Sequence, residues 1–276
     1  MRDDATTLFN EDDSHDSHDT TYTGTRNEQA WIEESLGEFF DDRLITDILY
    51  KVKGGKEANV YCCRCHPDSG RDLLAAKVYR PSQFRAMKND GLYRLGRDEV
   101  TGEGKVIRDN RARRAMAKRT KIGQAMRSMS WIHHEYGALK QLYDAGCDVP
   151  EPVAINERAI MMDYIGDETR AAPTLHEIGL DVSEAVRIYK RIEDNLEVML
   201  SYGRIHGDLS AYNILYDDGE PVIIDLPQTV DPLKHPDAFA LLQRDVDRVC
   251  SYFRKQGVDC DGGDLMARLW RYAIPG

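Results

Sequence analysis

The chain has 276 residues, 41% of them hydrophobic, and a formal net charge of −11, enough for one large domain or two small lobes. It contains no apolar run long enough to span a bilayer, and its acidic, polar start does not fit a secretory signal, so a cytoplasmic protein without a membrane partner is expected. The negative balance argues against nucleic-acid binding by bulk charge, and the six cysteines (62, 63, 65, 147, 250, 260) read as reduced thiols, not a disulfide framework.

Residues 1–30 carry eight acidic and two basic side chains, and 1–27 lack apolar periodicity, so a disordered acidic tail is expected over 1–30. Trp31, Leu36, Phe39 and Phe40 then predict a short amphipathic helix. From Ile45 to Tyr61 the pattern reads strand, Gly54-Gly55 turn, strand. Leu73–Tyr79 predicts a third strand after the turn Asp68-Ser69-Gly70. Cys62-Cys63-Arg64-Cys65 lacks the spacing of a zinc clip. A polar insertion follows at about 83–130, in which residues 105–127 hold nine Lys/Arg and one Asp. That block could grip RNA or a ribosomal surface locally, or simply be a solvated helix.

Ile132–Leu142 reads as helix and Ala159–Tyr164 as a buried strand ended by Gly166. The clearest helix runs from Asp181 to Tyr202. Asp181 and Glu184 suggest a capping box, Gly203 a stop, and Val186, Tyr189, Ile192, Leu196, Met199 and Leu200 an apolar face. Asp217-Asp218-Gly219 predicts a hairpin between Ile214-Leu215-Tyr216 and Val222-Ile223-Ile224. After residue 237, Leu241, Leu242, Val246, Val249 and Phe253 repeat at helical spacing.

Five pieces along this frame carry chemistry. Lys53-Gly54-Gly55-Lys56-Glu57-Ala58-Asn59-Val60 is a glycine turn whose backbone N–H groups could approach phosphate oxygens. Lys77 lies inside an apolar strand, where it needs an anion. Glu135, on the following helix, is a candidate partner for Lys77. His206-Gly207-Asp208 precedes Asn213, and Val222-Ile223-Ile224 delivers Asp225. A carboxylate that meets a hydroxyl, with an amide and a second carboxylate able to hold Mg²⁺, is the equipment of phosphoryl transfer. His206 is expected to support the loop.

At these residues the chain resembles the RIO family of atypical serine/threonine protein kinases, and its first subfamily more than its second. Gly55-Lys56-Glu57-Ala58-Asn59-Val60-Tyr61 resembles that family's phosphate loop. His206–Ser210 with Tyr212-Asn213 resembles its catalytic loop, and Ile223-Ile224-Asp225 with Gln228 its metal loop. Met162-Asp163-Tyr164-Ile165-Gly166 resembles the hinge that bonds adenine through backbone groups. The resemblance implies an α+β, two-lobed, protein-kinase-like fold with a reduced C-terminal lobe. The N-terminal lobe would span 31–165 and the catalytic lobe 166–276, without a conventional activation segment. It implies ATP with Mg²⁺ or Mn²⁺, and phosphorylation of serine or threonine hydroxyls, autophosphorylation included. ATP would contact Gly55, Lys56, Val60, Lys77 (steadied by Glu135), Asp163 and Ile165. Asn213 and Asp225 would hold the metal, and Asp208 would act on the acceptor.

The sequence departs from these patterns at four places, one of which is the basic, divergent 83–130 insertion. Ala211 stands where an acid is common, Gly54 where a hydroxyl residue is usual, and Leu226-Pro227 where conventional kinases have Phe-Gly. Two other readings fit parts of the pattern. One is an ATPase-type assembly factor, associated with RNA or ribosomes and cycling through a phosphorylated Asp225. The other is a small-molecule phosphotransferase, against which the Lys56-Glu57-Ala58 loop and the short C-terminal lobe argue.

Overall fold

A computed structural model describes residues 18–80 and 121–273, with the backbone alone over 121–128. Residues 1–17 of the expected tail and most of the basic insertion, including 105–120, lie outside the described residues. Residues 18–30 are not a tail, which corrects the expected boundary. The Thr21 N–H and hydroxyl both donate to the Asp47 carboxylate, at 2.7 and 2.6 Å. Tyr22 N–H donates to Ile48 C=O at 2.8 Å. Thr25 then caps helix α1 (Arg26–Asp41), which buries Ile32, Leu36 and Phe39 on one face. Glu28 in its first turn accepts from Lys51 at 2.9 Å and Tyr61 at 2.8 Å. Glu28 thus finds partners on the sheet and Thr21 finds an acid there, pairings that composition alone could not reveal.

Strands β1 (Ile45–Gly54), β2 (Ala58–Cys65), β3 (Leu73–Tyr79), β4 (Pro152–Ile155) and β5 (Ala159–Asp163) form an antiparallel sheet in the order β1-β2-β3-β5-β4. β3 matches its predicted span. β4 escapes sequence reading because it is short, opens on Pro and forms by pairing with β5. Helix α2 (Lys121–Asp144) extends the expected helix toward its N-terminus into the last part of the insertion. Its Ile132 packs with Ala58, Tyr79 and Ile160, whereas Leu139 and Leu142 join the core of the second lobe. One helix therefore spans both lobes.

The second lobe is built on α3 (Val182–Ser201). Asp181 caps it by accepting from Glu184 N–H at 2.9 Å, but the Glu184 carboxylate pairs with the Tyr216 hydroxyl instead of closing the box. Val186 is 49% exposed, contrary to expectation. Ala185 and Ile188 take the inward positions, because the stripe that includes Ile192, Leu196 and Met199 leaves residue 186 about 100° round the helix from residue 185. Strands β6 (Ile214–Asp217) and β7 (Glu220–Ile223) pair across Asp218-Gly219, whose φ values of 46° and 86° suit a tight hairpin turn. Helices α4 (Ala238–Lys255) and α5 (Gly262–Ala273) complete the lobe by packing with α3.

The arrangement is the expected α+β, two-lobed, kinase-like fold. Cys62, Cys63, Cys65 and Cys147 are free and buried. Cys250 and Cys260 instead form a disulfide, which corrects the reading of all six as thiols. The turn after α4 folds Cys260 back onto the helix, a proximity the sequence pattern does not announce. Among the described residues, no helix is long and apolar enough to cross a membrane.

Candidate active site

Lys77 is the centre of the site. It lies on β3 opposite Val60 of β2 and Ile160 of β5, and its side chain is 11% exposed. Its ammonium reaches Glu135 at 2.5 Å and Asp225 at 2.7 Å. Glu135 is 4% exposed, and its second oxygen accepts from the Tyr79 hydroxyl at 2.5 Å. Burial opposes the charge on Lys77, but the two carboxylates outweigh it and raise the pKa above the usual lysine range. Burial likewise opposes ionisation of Asp225. Lys77 overcomes it and holds the carboxyl below its ordinary value. The Asp225 side chain nonetheless remains 47% exposed, so an approaching ligand can reach it. Its φ of 70° is left-handed for a non-glycine residue, a local strain that the surrounding contacts sustain.

The loop between α3 and β6 carries the other acid. Asp208 N–H donates to His206 Nδ1 at 3.3 Å, and His206 Nε2 lies 3.1 Å from Ile224 C=O. These partners assign the neutral tautomer with its proton on Nε2 and give His206 the expected supporting role. Asn213 donates to Asp208 C=O at 3.0 Å, and Asn213 C=O accepts from Ile224 N–H at 3.0 Å. Residues 208, 213 and 225 thus belong to one connected cluster, to which Asp225 adds Lys77 and Glu135.

Three residues of α4 hold this loop and were missed in the sequence. Asp245, fully buried, accepts from Gly207 N–H at 2.7 Å and Leu209 N–H at 2.9 Å. Burial pushes its carboxyl up to about 6, against the pull of the two backbone donors. Arg244 donates to Gly207 C=O. Arg248 donates to the Asp208 carboxylate at 2.6 Å. A signal for Asp245 did exist: it lies four residues from both Leu241 and Val249, on the apolar face of a predicted helix, where an acid needs donors. Nothing comparable marks Arg248.

The glycine turn holds at Gly55, whose N–H donates to Ala58 C=O at 2.9 Å. A Cβ at Gly55 would lie 2.8 Å from that oxygen, so the close turn requires glycine. Lys56 is exposed at its tip, and Val60 is half-buried in β2. At the hinge, the Asp163 side chain pairs with Arg71, its N–H donates to Glu151 C=O, and Ile165 C=O accepts from Ala172 N–H. These groups fix the hinge to the sheet. The loop after Asp225 is tied to α2: Trp131 Nε1–H donates to Pro227 C=O at 3.3 Å, and His134 Nε2 lies 3.2 Å from Thr229 C=O. The face of α2 that presents Glu135 therefore also holds the segment that presents Asp225.

The donor set suits a hard cation. Asp225 offers a half-exposed carboxylate, and the amide nitrogen of Asn213 is committed to Asp208 C=O, which leaves the amide oxygen as its ligand atom. Among the described residues, no three His, Cys, Asp or Glu side chains form a metal cage. This sparse set fits an ion that takes part of its shell from phosphate oxygens and water, as Mg²⁺ does.

The RIO domain family model matches residues 59–264. The chain is 33% identical over 219 residues to the RIO-type serine/threonine-protein kinase Rio1 of Haloferax volcanii, covering 78% of this chain and 66% of that protein. It is 30% identical over 242 residues to the Rio1 of Methanocaldococcus jannaschii, covering 86% and 78%. It is 33% identical over 227 residues to the serine/threonine-protein kinase RIO1 of Chaetomium thermophilum, covering 78% and 41%. The chain thus spans about two thirds of the first of these proteins and less than half of the third. The family match includes Lys77, Glu135, Asp208, Asn213, Asp225 and Asp245, and on it and these similarities the chain belongs to the RIO domain family, in its Rio1 branch.

Proposed function

We propose that this chain transfers the γ-phosphoryl group of ATP to serine or threonine hydroxyls, including its own. The observation that carries this reading is Lys77, held between Glu135 and Asp225 in the cluster that also contains Asp208 and Asn213. ATP would lie between the lobes, its adenine against 163–165 and Val60 and its phosphates near Gly55, Lys56 and Lys77. Asn213 and Asp225 would hold Mg²⁺ or Mn²⁺, which when bound neutralises phosphate charge. The acceptor oxygen bonds to the γ-phosphorus while the bond to the β–γ bridging oxygen breaks. Asp208 takes the hydroxyl proton and ADP leaves. The names of the Rio1 relatives support the kinase assignment.

The test is incubation with labelled ATP and Mg²⁺ or Mn²⁺, followed by mapping of the phosphate. Acid-stable phosphoserine or phosphothreonine is expected, lost in Asp208→Ala and Asp225→Ala although both variants remain folded. An undiminished rate in both would refute the assignment. Acid-labile phosphate on Asp225 would instead favour the ATPase-type assembly factor. RNA contact through the basic block stays a separate proposal, tested by salt-dependent RNA binding of the full chain.

A further inference from the structure

Asp208 meets the acceptor in the reading above, yet its carboxylate is already engaged. Arg248 reaches across from α4 and donates to Asp208 Oδ1 at 2.6 Å. Both side chains are 41% exposed, so the pair lies at the open side of the loop. Residues 206–215 themselves contain no Lys or Arg. Lys77 is directed to Asp225 and Glu135, and among the described residues Arg248 is the cation seated on Asp208.

We infer that Arg248 is a specificity-determining residue that latches Asp208 and selects acceptors carrying an anionic group, carboxylate or phosphate, beside the reactive hydroxyl. The inference rests on the phosphotransferase reading. A hydroxyl that approaches Asp208 must share the carboxylate with Arg248 or draw the guanidinium away. A half-exposed ion pair is weakly held, so it can be exchanged. The guanidinium, however, keeps its charge at any working pH, and its planar fork of donors matches a carboxylate or phosphate. A neutral acceptor offers no replacement and leaves Asp208 shared. An acidic acceptor gives Arg248 a new partner and frees the carboxylate as the hydroxyl arrives. The anchor of this latch is rigid, because Arg244 and Asp245 on the same helix already grip residues 207 and 209.

The probe is a peptide of residues 9–20, in which Ser14 and Ser17 lie among acids, compared with a counterpart bearing Asn and Gln for every Asp and Glu. The 276-residue chain should show a kcat/KM about tenfold higher for the acidic peptide, the worth of one charge-assisted hydrogen bond that remains partly solvated. In Arg248→Gln the ratio should fall to about one, and Arg248→Lys should restore part of it as a point charge without the fork. An acidic peptide with Ala for Ser14, Ser17 and Thr20 should inhibit autophosphorylation of the unaltered protein more strongly than that of Arg248→Gln. A ratio near one in the unaltered protein, an unchanged ratio in Arg248→Gln, or acidic peptides that neither react nor inhibit would overturn the inference. Absence of any ATP-dependent, Asp225-dependent phosphate transfer would instead overturn the functional reading beneath it. Melting curves of each variant separate loss of selectivity from loss of fold.

Discussion

Asp245→Asn should make the protein relatively more stable as pH rises, and less active. The carboxylate is fully buried, and burial raises its pKa from an ordinary 3.8 to about 6. At pH 7 the folded protein therefore carries this charge at a higher cost than the unfolded chain does. The penalty is about 3 kcal/mol, from roughly two pKa units at 1.36 kcal/mol each. A carboxyl raised in this way contributes its stability below the unfolded pKa and loses it as pH rises through 6. Asn is the nearest neutral isostere. The variant is thus relieved of up to about 3 kcal/mol at pH 7 and about 1.5 kcal/mol at pH 5, less a pH-independent cost of about 1–3 kcal/mol for one unmatched N–H, so its stability relative to the unaltered protein should rise by about 1.5 kcal/mol from pH 5 to pH 7. Activity should fall. Only one oxygen remains to receive Gly207 N–H and Leu209 N–H, so the loop bearing Asp208 loses a fixed point. A displacement on the order of 1 Å costs roughly 100-fold in rate. Urea denaturation at pH 5 and 7, with phosphate transfer on the same samples, checks both halves. A stability difference that stays the same at pH 5 and pH 7, or an unchanged rate, would refute the reasoning.

Lys77→Ala strands Glu135, only 4% exposed, without its cation. It should lose about 3 kcal/mol in chemical denaturation, as broken buried pairs do, together with phosphate transfer. Gly55→Ala forces a Cβ to within 2.8 Å of Ala58 C=O, so the turn must open. The KM for ATP should rise at least about tenfold with a stability loss of about 1–2 kcal/mol, a split visible in steady-state kinetics and melting curves. Reduction of the Cys250–Cys260 disulfide, which closes a sequence separation of 10, should lower stability by about 2–3 kcal/mol in the loop-entropy account. The double variant Cys250→Ser/Cys260→Ser should not respond to reductant, and an equal response there would sink that explanation.

Much of the frame was legible before any coordinates. β3 matched its predicted residues, and the hairpin at Asp218-Gly219 formed where turn chemistry placed it. Local pattern sufficed there because alternation, helical spacing and turn residues act within a few positions of one another. It failed where partners are distant. Residues 18–30 read as tail because Asp47, Lys51 and Tyr61 are remote in sequence. Val186 read as core because the apolar stripe of α3 was placed one position too wide.

The sequence by itself determined which groups were chemically noteworthy: Lys77 in an apolar strand, Asp208 with Asn213 five positions on, and Asp225 at the end of an apolar run. Only the tertiary structure decided that Lys77 meets both Glu135 and Asp225, that Asp245 holds the loop bearing Asp208, and that Arg248 covers Asp208. A charged side chain's energy depends on its neighbours within a few ångströms and on the water excluded around it. Those neighbours come from α2, β3, the segment after β7 and α4, brought together by the packing of the lobes and by no local rule of spacing.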